Sequence, residues 1–378
     1  MTRIAHVITG LQRGGAEAFL YRFLTNEENQ LDHMVISLGN GGVYGPLLEQ
    51  RSIRVFSVGL KGLTDLFPAI RRLNRLLEDH QIELVQSWLY KADFVAALAL
   101  KSSMIPLIWN IRQSNVSFRY NTPSNIVVSR ILSRWSARVP AYIVYCAHAA
   151  RQAHEQMGYS ATSVKVIPNG IDCDIFYSDQ ALRQRARHIM DVDDDEFVIA
   201  NVARYDPQKG HADFLKCASK LIKAHSRLKF VLIGKGMEDS NRELRDLVRL
   251  LGLDSFVMLL GERDDVPRLL NGSDLYLSCS VGEGWPNAIA EAMACALPVV
   301  ATDVGDTQLI LGSAVRAVTV HDVKTLADQV SKVIEMPTVD RRELGHMMRK
   351  RVVSEFSVAG SARQYEALYS NVLGQTST

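Results

Sequence analysis

Short apolar runs alternate along this chain with longer stretches in which apolar residues recur every three or four positions. The short runs, bounded by Gly, Asn, Asp or Ser, predict strands buried on both faces of a parallel sheet, and the periodic stretches predict the helices that cover it. In the first half, strands are expected at 4–8, 34–38, 55–58, 84–86, 107–111, 142–145 and 164–167, with helices between them such as 16–24 and 68–78. A second alternation follows the acidic segment around 191–196, with strands at 197–202, 230–233, 257–260, 275–278 and 299–301 and helices such as 213–224 and 242–250. The turn-rich Pro168-Asn169-Gly170-Ile171-Asp172 separates the halves, and an amphipathic helix at about 359–373 follows the second. The pattern predicts an α/β protein of two Rossmann-like, doubly wound domains facing a central cleft, with ligands at the carboxyl ends of the strands. Periodicity does not say where the last helix packs.

A length of 378 residues suits two such domains, and 47% hydrophobic with 22% charged residues is ordinary for a soluble globular chain. The longest apolar run, 94–100, is far short of a membrane span, and no long apolar signal segment opens the chain, so a cytoplasmic location is expected. Five scattered cysteines without C-x-x-C spacing fit a reducing compartment and no structural metal. The net charge of +2 is unevenly placed: residues 1–170 hold 18 Lys/Arg against 11 Asp/Glu. From Phe94 to His154 there is no acidic residue at all, so the first half should attract anions.

Four pieces of sequence carry chemistry. In Glu283-Gly-Trp-Pro-Asn-Ala-Ile-Ala-Glu291, the first carboxylate sits in a glycine turn after a strand, and Pro286 suits the first turn of a helix. The second carboxylate lies inside that helix among small apolar residues, where it needs a polar partner. A strand, a glycine turn and a helix N-terminus make a seat for phosphate, so the element points to a phosphorylated ligand bearing hydroxyls. The loop Gly10-Leu-Gln-Arg-Gly14-Gly15-Ala-Glu17 lets backbone amides approach a phosphate, but it is not the dinucleotide fingerprint G-x-G-x-x-G. Arg204-Tyr-Asp-Pro-Gln-Lys209-Gly210 places two cations at a strand end, suited to a diphosphate. The fourth piece, Gly261-Glu-Arg263-Asp-Asp265, again follows a strand directly.

Together with Val166-Ile-Pro-Asn-Gly-Ile-Asp172 and Pro298-Val-Val-Ala-Thr-Asp303, these pieces resemble, in order and over almost the whole chain, the retaining nucleotide-sugar glycosyltransferases of GT-B fold (group 1, family 4 type). The resemblance implies an acceptor-binding domain at 1–170, joined by a C-terminal helix at about 356–378, and a donor-binding domain at 171–355. It implies that Glu283 faces the donor sugar, that Glu291 binds the ribose, and that Arg204 and Lys209 hold the diphosphate. Gly14, Gly15, Gly284, Trp285, Pro286 and Asn287 would complete the donor site, with Arg263 near the base. The substrate would be a nucleoside-diphosphate sugar, most simply a UDP-sugar, with no other cofactor, no metal and no nucleic-acid partner. The acceptor would be a saccharide, lipid-linked, in cell-surface polysaccharide assembly. A nucleotide-sugar epimerase and a non-catalytic sugar-nucleotide-binding protein are the alternatives.

The chain departs from the family pattern at two places. After the fifth strand, where the family commonly has His or Asp, it has Arg112, which suggests a negatively charged sugar or acceptor group. After Asp303 it has Gly305-Asp306 and Gln308 instead of Gly-Gly and a later Glu. Of the remaining candidates, Asp172 and Asp174 are expected to shape the interdomain turn rather than hold a metal, and Asp193 to Glu196 to form a solvated linker face. Arg130, Arg134 and Arg138 recur every four residues beside an apolar face of Val128, Ile131, Leu132, Trp135 and Val139. With Arg119 they form a candidate acceptor or membrane surface on the inner face of the cytoplasmic membrane.

Overall fold

A computed structural model describes residues 2–26, 31–113 and 122–376; Arg119 lies outside them. The chain divides into two compact units, Met1–Gly170 with Val358–Thr378, and Ile171–Ser357.

In unit 1, strands β1 (Arg3–Ile8), β2 (Asp32–Ser37), β3 (Arg54–Ser57), β4 (Leu84–Trp88), β5 (Leu107–Ile111), β6 (Tyr142–Tyr145) and β7 (Val164–Val166) form a parallel sheet in the order β3-β2-β1-β4-β5-β6-β7. Its helices are α1 (Gly15–Leu24), α2 (Tyr44–Glu49), α3 (Leu66–Asp79), α4 (Tyr90–Ala99), α5 (Pro123–Trp135) and α6 (His148–Gln156). Every residue of β4 and β5 is buried, as expected of central strands covered on both faces.

In unit 2, α7 (Gln180–Ile189) precedes β8 (Phe197–Val202), α8 (His211–Leu221), β9 (Leu228–Ile233), α9 (Arg242–Leu250), β10 (Val257–Leu259), α10 (Val266–Asn271), β11 (Leu275–Ser278), α11 (Asn287–Ala294) and β12 (Val299–Ala301). Helices α12 (Thr307–Leu311), α13 (Val323–Glu335) and α14 (Thr338–Glu355) complete it, around a parallel sheet ordered β10-β9-β8-β11-β12. Both sheets reverse strand order beside their first strand, which opens a crevice at the carboxyl ends.

The last helix, α15 (Val358–Thr376), belongs to unit 1. Its Ala362, Tyr365, Leu368, Tyr369 and Val372 join the same core cluster as Phe19, Phe23, Trp88 and Ile108. The Tyr369 hydroxyl donates to the Gln86 side chain in the middle of β4, which gives a buried strand amide one of its partners. Among the described residues no helix is long and apolar enough to cross a membrane.

In the acidic run 193–196 the side chains of Asp193, Asp194 and Asp195 are solvated, as expected, while the backbone is anchored. The buried Arg187 guanidinium donates to the carbonyls of Asp193 and Glu196, and Arg227 pairs with Asp195. Asp172 caps its own turn, accepting from the amides of Asp174 (3.1 Å) and Ile175 (3.2 Å). Among the described residues no group of three or more His, Cys, Asp and Glu is placed to hold a metal ion.

Candidate functional site

In unit 2 the loops after the adjacent strands β8 and β11 meet. After β8 the chain enters a single tight turn, Pro207–Lys209, capped by Asp206, whose carboxylate accepts from the Gln208 amide at 2.9 Å. Gly210 then takes a left-handed conformation (φ 66°) against the end of β11, where a Cβ would stand 2.8 Å from the Cys279 carbonyl carbon. The Val281 amide donates to the Gln208 carbonyl at 2.8 Å, tying the two loops together. Lys209 consequently reaches Glu283, with Nζ to Oε1 at 2.6 Å and both side chains largely buried. Ser280 donates to the same oxygen at 2.8 Å. Ser280 was not singled out in the sequence; its signal was a small hydroxyl three residues before the carboxylate.

Arg204 is mostly exposed, and its Nε and Nη2 both bond Asp206 Oδ2, at 3.1 and 3.0 Å. Burial tends to raise the Asp206 carboxyl, but the Gln208 amide, Arg204 and Lys209 together hold it below the usual range. Arg263 spends its bidentate edge on Asp265 (2.8 and 2.9 Å) and thereby lowers that carboxyl. Both arginines are thus oriented by a neighbouring carboxylate, which leaves Nη1 of each outside that pairing.

The Glu283–Glu291 element differs in detail from the expectation. Pro286 stands at the cap position (φ −77°, ψ 87°), one residue before α11, and Asn287 is the first helical residue. The Trp285 ring is buried edge-on against Phe356, with centroids 5.0 Å apart. Its packing partner lies 71 positions onward, out of reach of a motif reading. Gly305 (φ 58°) packs on this turn so closely that a Cβ would lie 2.6 Å from the Glu283 carbonyl oxygen, and the Asp306 amide donates to the Gly284 carbonyl at 3.1 Å. Gln308 braces the following loop through the Gly312 carbonyl (2.7 Å) and the Ala317 amide (2.9 Å). On β11 the Tyr276 hydroxyl donates to the Val202 carbonyl at 3.3 Å; burial pushes its pKa up, that hydrogen bond opposes the rise, and the charges of Glu283 and Glu291 add to it.

In unit 1, Gly14 and Gly15 form the N-terminus of α1, and the Glu17 carboxylate turns back over Gly14 where a Cβ would collide with it. Burial pushes that carboxyl up. Arg112 follows β5 directly. Its guanidinium lies over Phe19 (4.1 Å) and beside Trp88 (5.0 Å), and Nη1 donates to the Tyr365 hydroxyl at 3.3 Å. Arg130 and Arg134 are exposed on α5, but the helix ends at Trp135 and the exposed Arg138 lies in the turn that follows. The expected helical stripe thus holds two arginines rather than three; Leu132 is buried and Trp135 stacks on Phe94.

Residues 13–175 match the family described as Glycosyltransferase Family 4, and residues 196–336 match Glycosyl transferases group 1. The fold is shared with the HepE protein of Anabaena in complex with UDP, at a TM-score of 0.86 and 23% identity over 98% of this chain and all of that one. The chain belongs to a GT-B glycosyltransferase family. This glycosyltransferase is also similar to EpsF of Bacillus subtilis, 25% identical over 80% of this chain and 79% of that protein. A further relative is the UDP-Gal:alpha-D-GlcNAc-diphosphoundecaprenol alpha-1,3-galactosyltransferase of Escherichia coli, 22% identical over 97% of this chain and 96% of that enzyme.

Proposed function

We propose that this glycosyltransferase moves a sugar, with retention of anomeric configuration, from a UDP-sugar to a hydroxyl of a lipid-linked saccharide during cell-surface polysaccharide assembly. The observation that carries the reading is the Lys209–Glu283 pair at the carboxyl ends of β8 and β11, with Arg204 at the same edge. Glu283, braced by Lys209 and Ser280, accepts from hydroxyls of the donor sugar, and Glu291 accepts from the ribose. Lys209 and Arg204 meet the charge that builds on the departing diphosphate. The bond from the anomeric carbon to the diphosphate oxygen breaks, a bond to the acceptor oxygen forms on the same face, and the acceptor proton passes to the departing phosphate. No metal or further cofactor takes part. Unit 1, with its basic α5, receives the acceptor at the inner face of the cytoplasmic membrane.

Two relatives support the choice of donor and acceptor: HepE has been solved with UDP-glucose bound, and the Escherichia coli enzyme is named for a UDP-galactose donor and a diphosphoundecaprenol acceptor. A thermal-shift screen of UDP-, GDP- and ADP-sugars tests the donor, since a ligand of the folded state raises its melting temperature. UDP-sugars should give the largest shift, and Glu291→Ala should weaken it. A larger shift with GDP- or ADP-sugars would overturn the base assignment, and an inverted product anomer by NMR would overturn retention.

A further inference from the structure

Arg112 is held as a receptor is held. Its guanidinium plane is fixed by Phe19 on α1, Trp88 at the end of β4 and Tyr365 on α15. The Tyr365 hydroxyl is in turn oriented by Asn110 of β5, which donates to it at 2.9 Å. Aromatic faces compensate part of the cation's charge and exclude water, but they offer nothing to the N–H groups in its edge. Nη1 bonds Tyr365, whereas Nε and Nη2 are buried and have no hydrogen-bond partner among the described residues. Those two atoms form the edge that grips an oxyanion bidentately, the same edge that Arg263 uses on Asp265. Among the described residues no carboxylate pairs with Arg112; Glu17, in the first turn of the helix that carries Phe19, lies over Gly14.

An unfilled charged donor pair is costly to bury, and here it stands at the carboxyl end of a central parallel strand, where doubly wound sheets bind ligands. Two strands away in the same sheet, just after β1, the buried Thr9 hydroxyl also has no hydrogen-bond partner among the described residues.

We propose that Arg112 is a specificity-determining residue that grips a carboxylate or phosphate of the substrate through Nε–H and Nη2–H, so that this enzyme selects an anionic sugar or acceptor over its neutral counterpart. The proposal rests on the glycosyltransferase reading for what the substrate is, and on the open guanidinium edge for its charge. Two sources supply that chemistry: the carboxylate of a uronic acid in the donor, or a phosphate in the acceptor.

The test measures affinity by calorimetry, so that it does not require turnover. One arm compares UDP-glucuronate with UDP-glucose; the other compares an alkyl diphosphate-linked N-acetylglucosamine with the corresponding alkyl glycoside. The protein should prefer the anionic member of one pair, and that arm identifies the source. In Arg112→Gln the preference should fall roughly 10- to 100-fold through weaker binding of the anionic member alone, the scale of a hydrogen bond to a charged group. Arg112→Lys keeps the charge over the aromatic rings but loses the two-toothed edge, so it should keep the fold and lose most of the preference. It decides the question if Arg112→Gln does not fold. No preference in either pair, or ratios unchanged in a folded variant, would overturn the proposal. Failure of every pair to support transfer would count against the glycosyltransferase reading instead, with the binding ratios still deciding the role of Arg112.

Discussion

Gly210 is where the placement of Lys209 can be tested most directly. In Gly210→Ala the new methyl would stand 2.8 Å from the Cys279 carbonyl carbon, against an ordinary carbon–carbon separation of about 3.5–4.0 Å. The turn carrying Lys209 must therefore retreat by about 1 Å, which breaks a 2.6 Å ion pair to Glu283 that has little slack. Two costs separate cleanly. The left-handed backbone (φ 66°) costs any non-glycine residue about 1–2 kcal/mol, which lowers the melting temperature by roughly 2–8 °C in a domain of this size. The displacement costs activity: a catalytic group moved by about 1 Å typically loses on the order of 100-fold in rate. Gly252 supplies the control, because it has nearly the same φ (68°) but nothing within 4 Å of a Cβ. Gly252→Ala should show the strain and keep its turnover, whereas Gly210→Ala should melt lower still and lose most of kcat/KM, assayed well below either melting point. Equal melting temperatures and equal turnover in the two variants would refute the claim that this close approach positions Lys209.

Three further outcomes are expected. Asp274 neutralises Arg183 (2.7 Å) and the buried Arg187 (3.3 Å) while accepting from the Val198 amide (2.8 Å), so Asp274→Ala strands a buried cation. It should cost about 3–5 kcal/mol by urea denaturation, and a loss below about 1 kcal/mol would contradict that role. Burial lowers His33, His154 and His211 to about 4 and also holds His6 well below its usual value, so the folded protein refuses protons that the unfolded chain accepts below about 6.5. Stability present above that pH should drain away as pH falls toward 4, by up to about 3 kcal/mol for each of the first three; a urea midpoint that holds or rises between pH 7 and 5 would contradict it. Finally, reversing Arg130, Arg134 and Arg138 to Glu should abolish sedimentation with anionic vesicles, and failure of the unaltered protein to sediment with them would end the membrane-surface assignment.

The strands were legible because a parallel strand buried on both faces is written as an uninterrupted apolar run closed by a glycine turn. Leu107–Ile111 and Leu275–Ser278 begin and end where the pattern placed them. Lys209 and Glu283 were legible as candidates, since each follows such a strand, but their direct pairing depends on Gly210 and on a backbone bond from Val281 to Gln208. Long-range partners were not legible. The contact between Trp285 and Phe356 joins distant parts of the chain; Gln308 reads as a lost carboxylate and is a loop brace. The open edge of Arg112 was equally hidden, because it is defined by aromatic rings drawn from three separate parts of the chain.

The return of α15 to unit 1 also orders events during synthesis. Unit 2 is one continuous stretch, Ile171–Ser357, and every residue of it has been made before α15 exists. Unit 1 has its whole sheet by residue 166, yet Phe19, Trp88 and Gln86 still lack Tyr365 and Tyr369. The first unit begun is thus the last to be completed, and it spends the making of its neighbour with an unfinished apolar flank, a period in which a growing chain depends on chaperones. No single cut yields both units whole: releasing unit 1 intact requires joining residue 170 to residue 358.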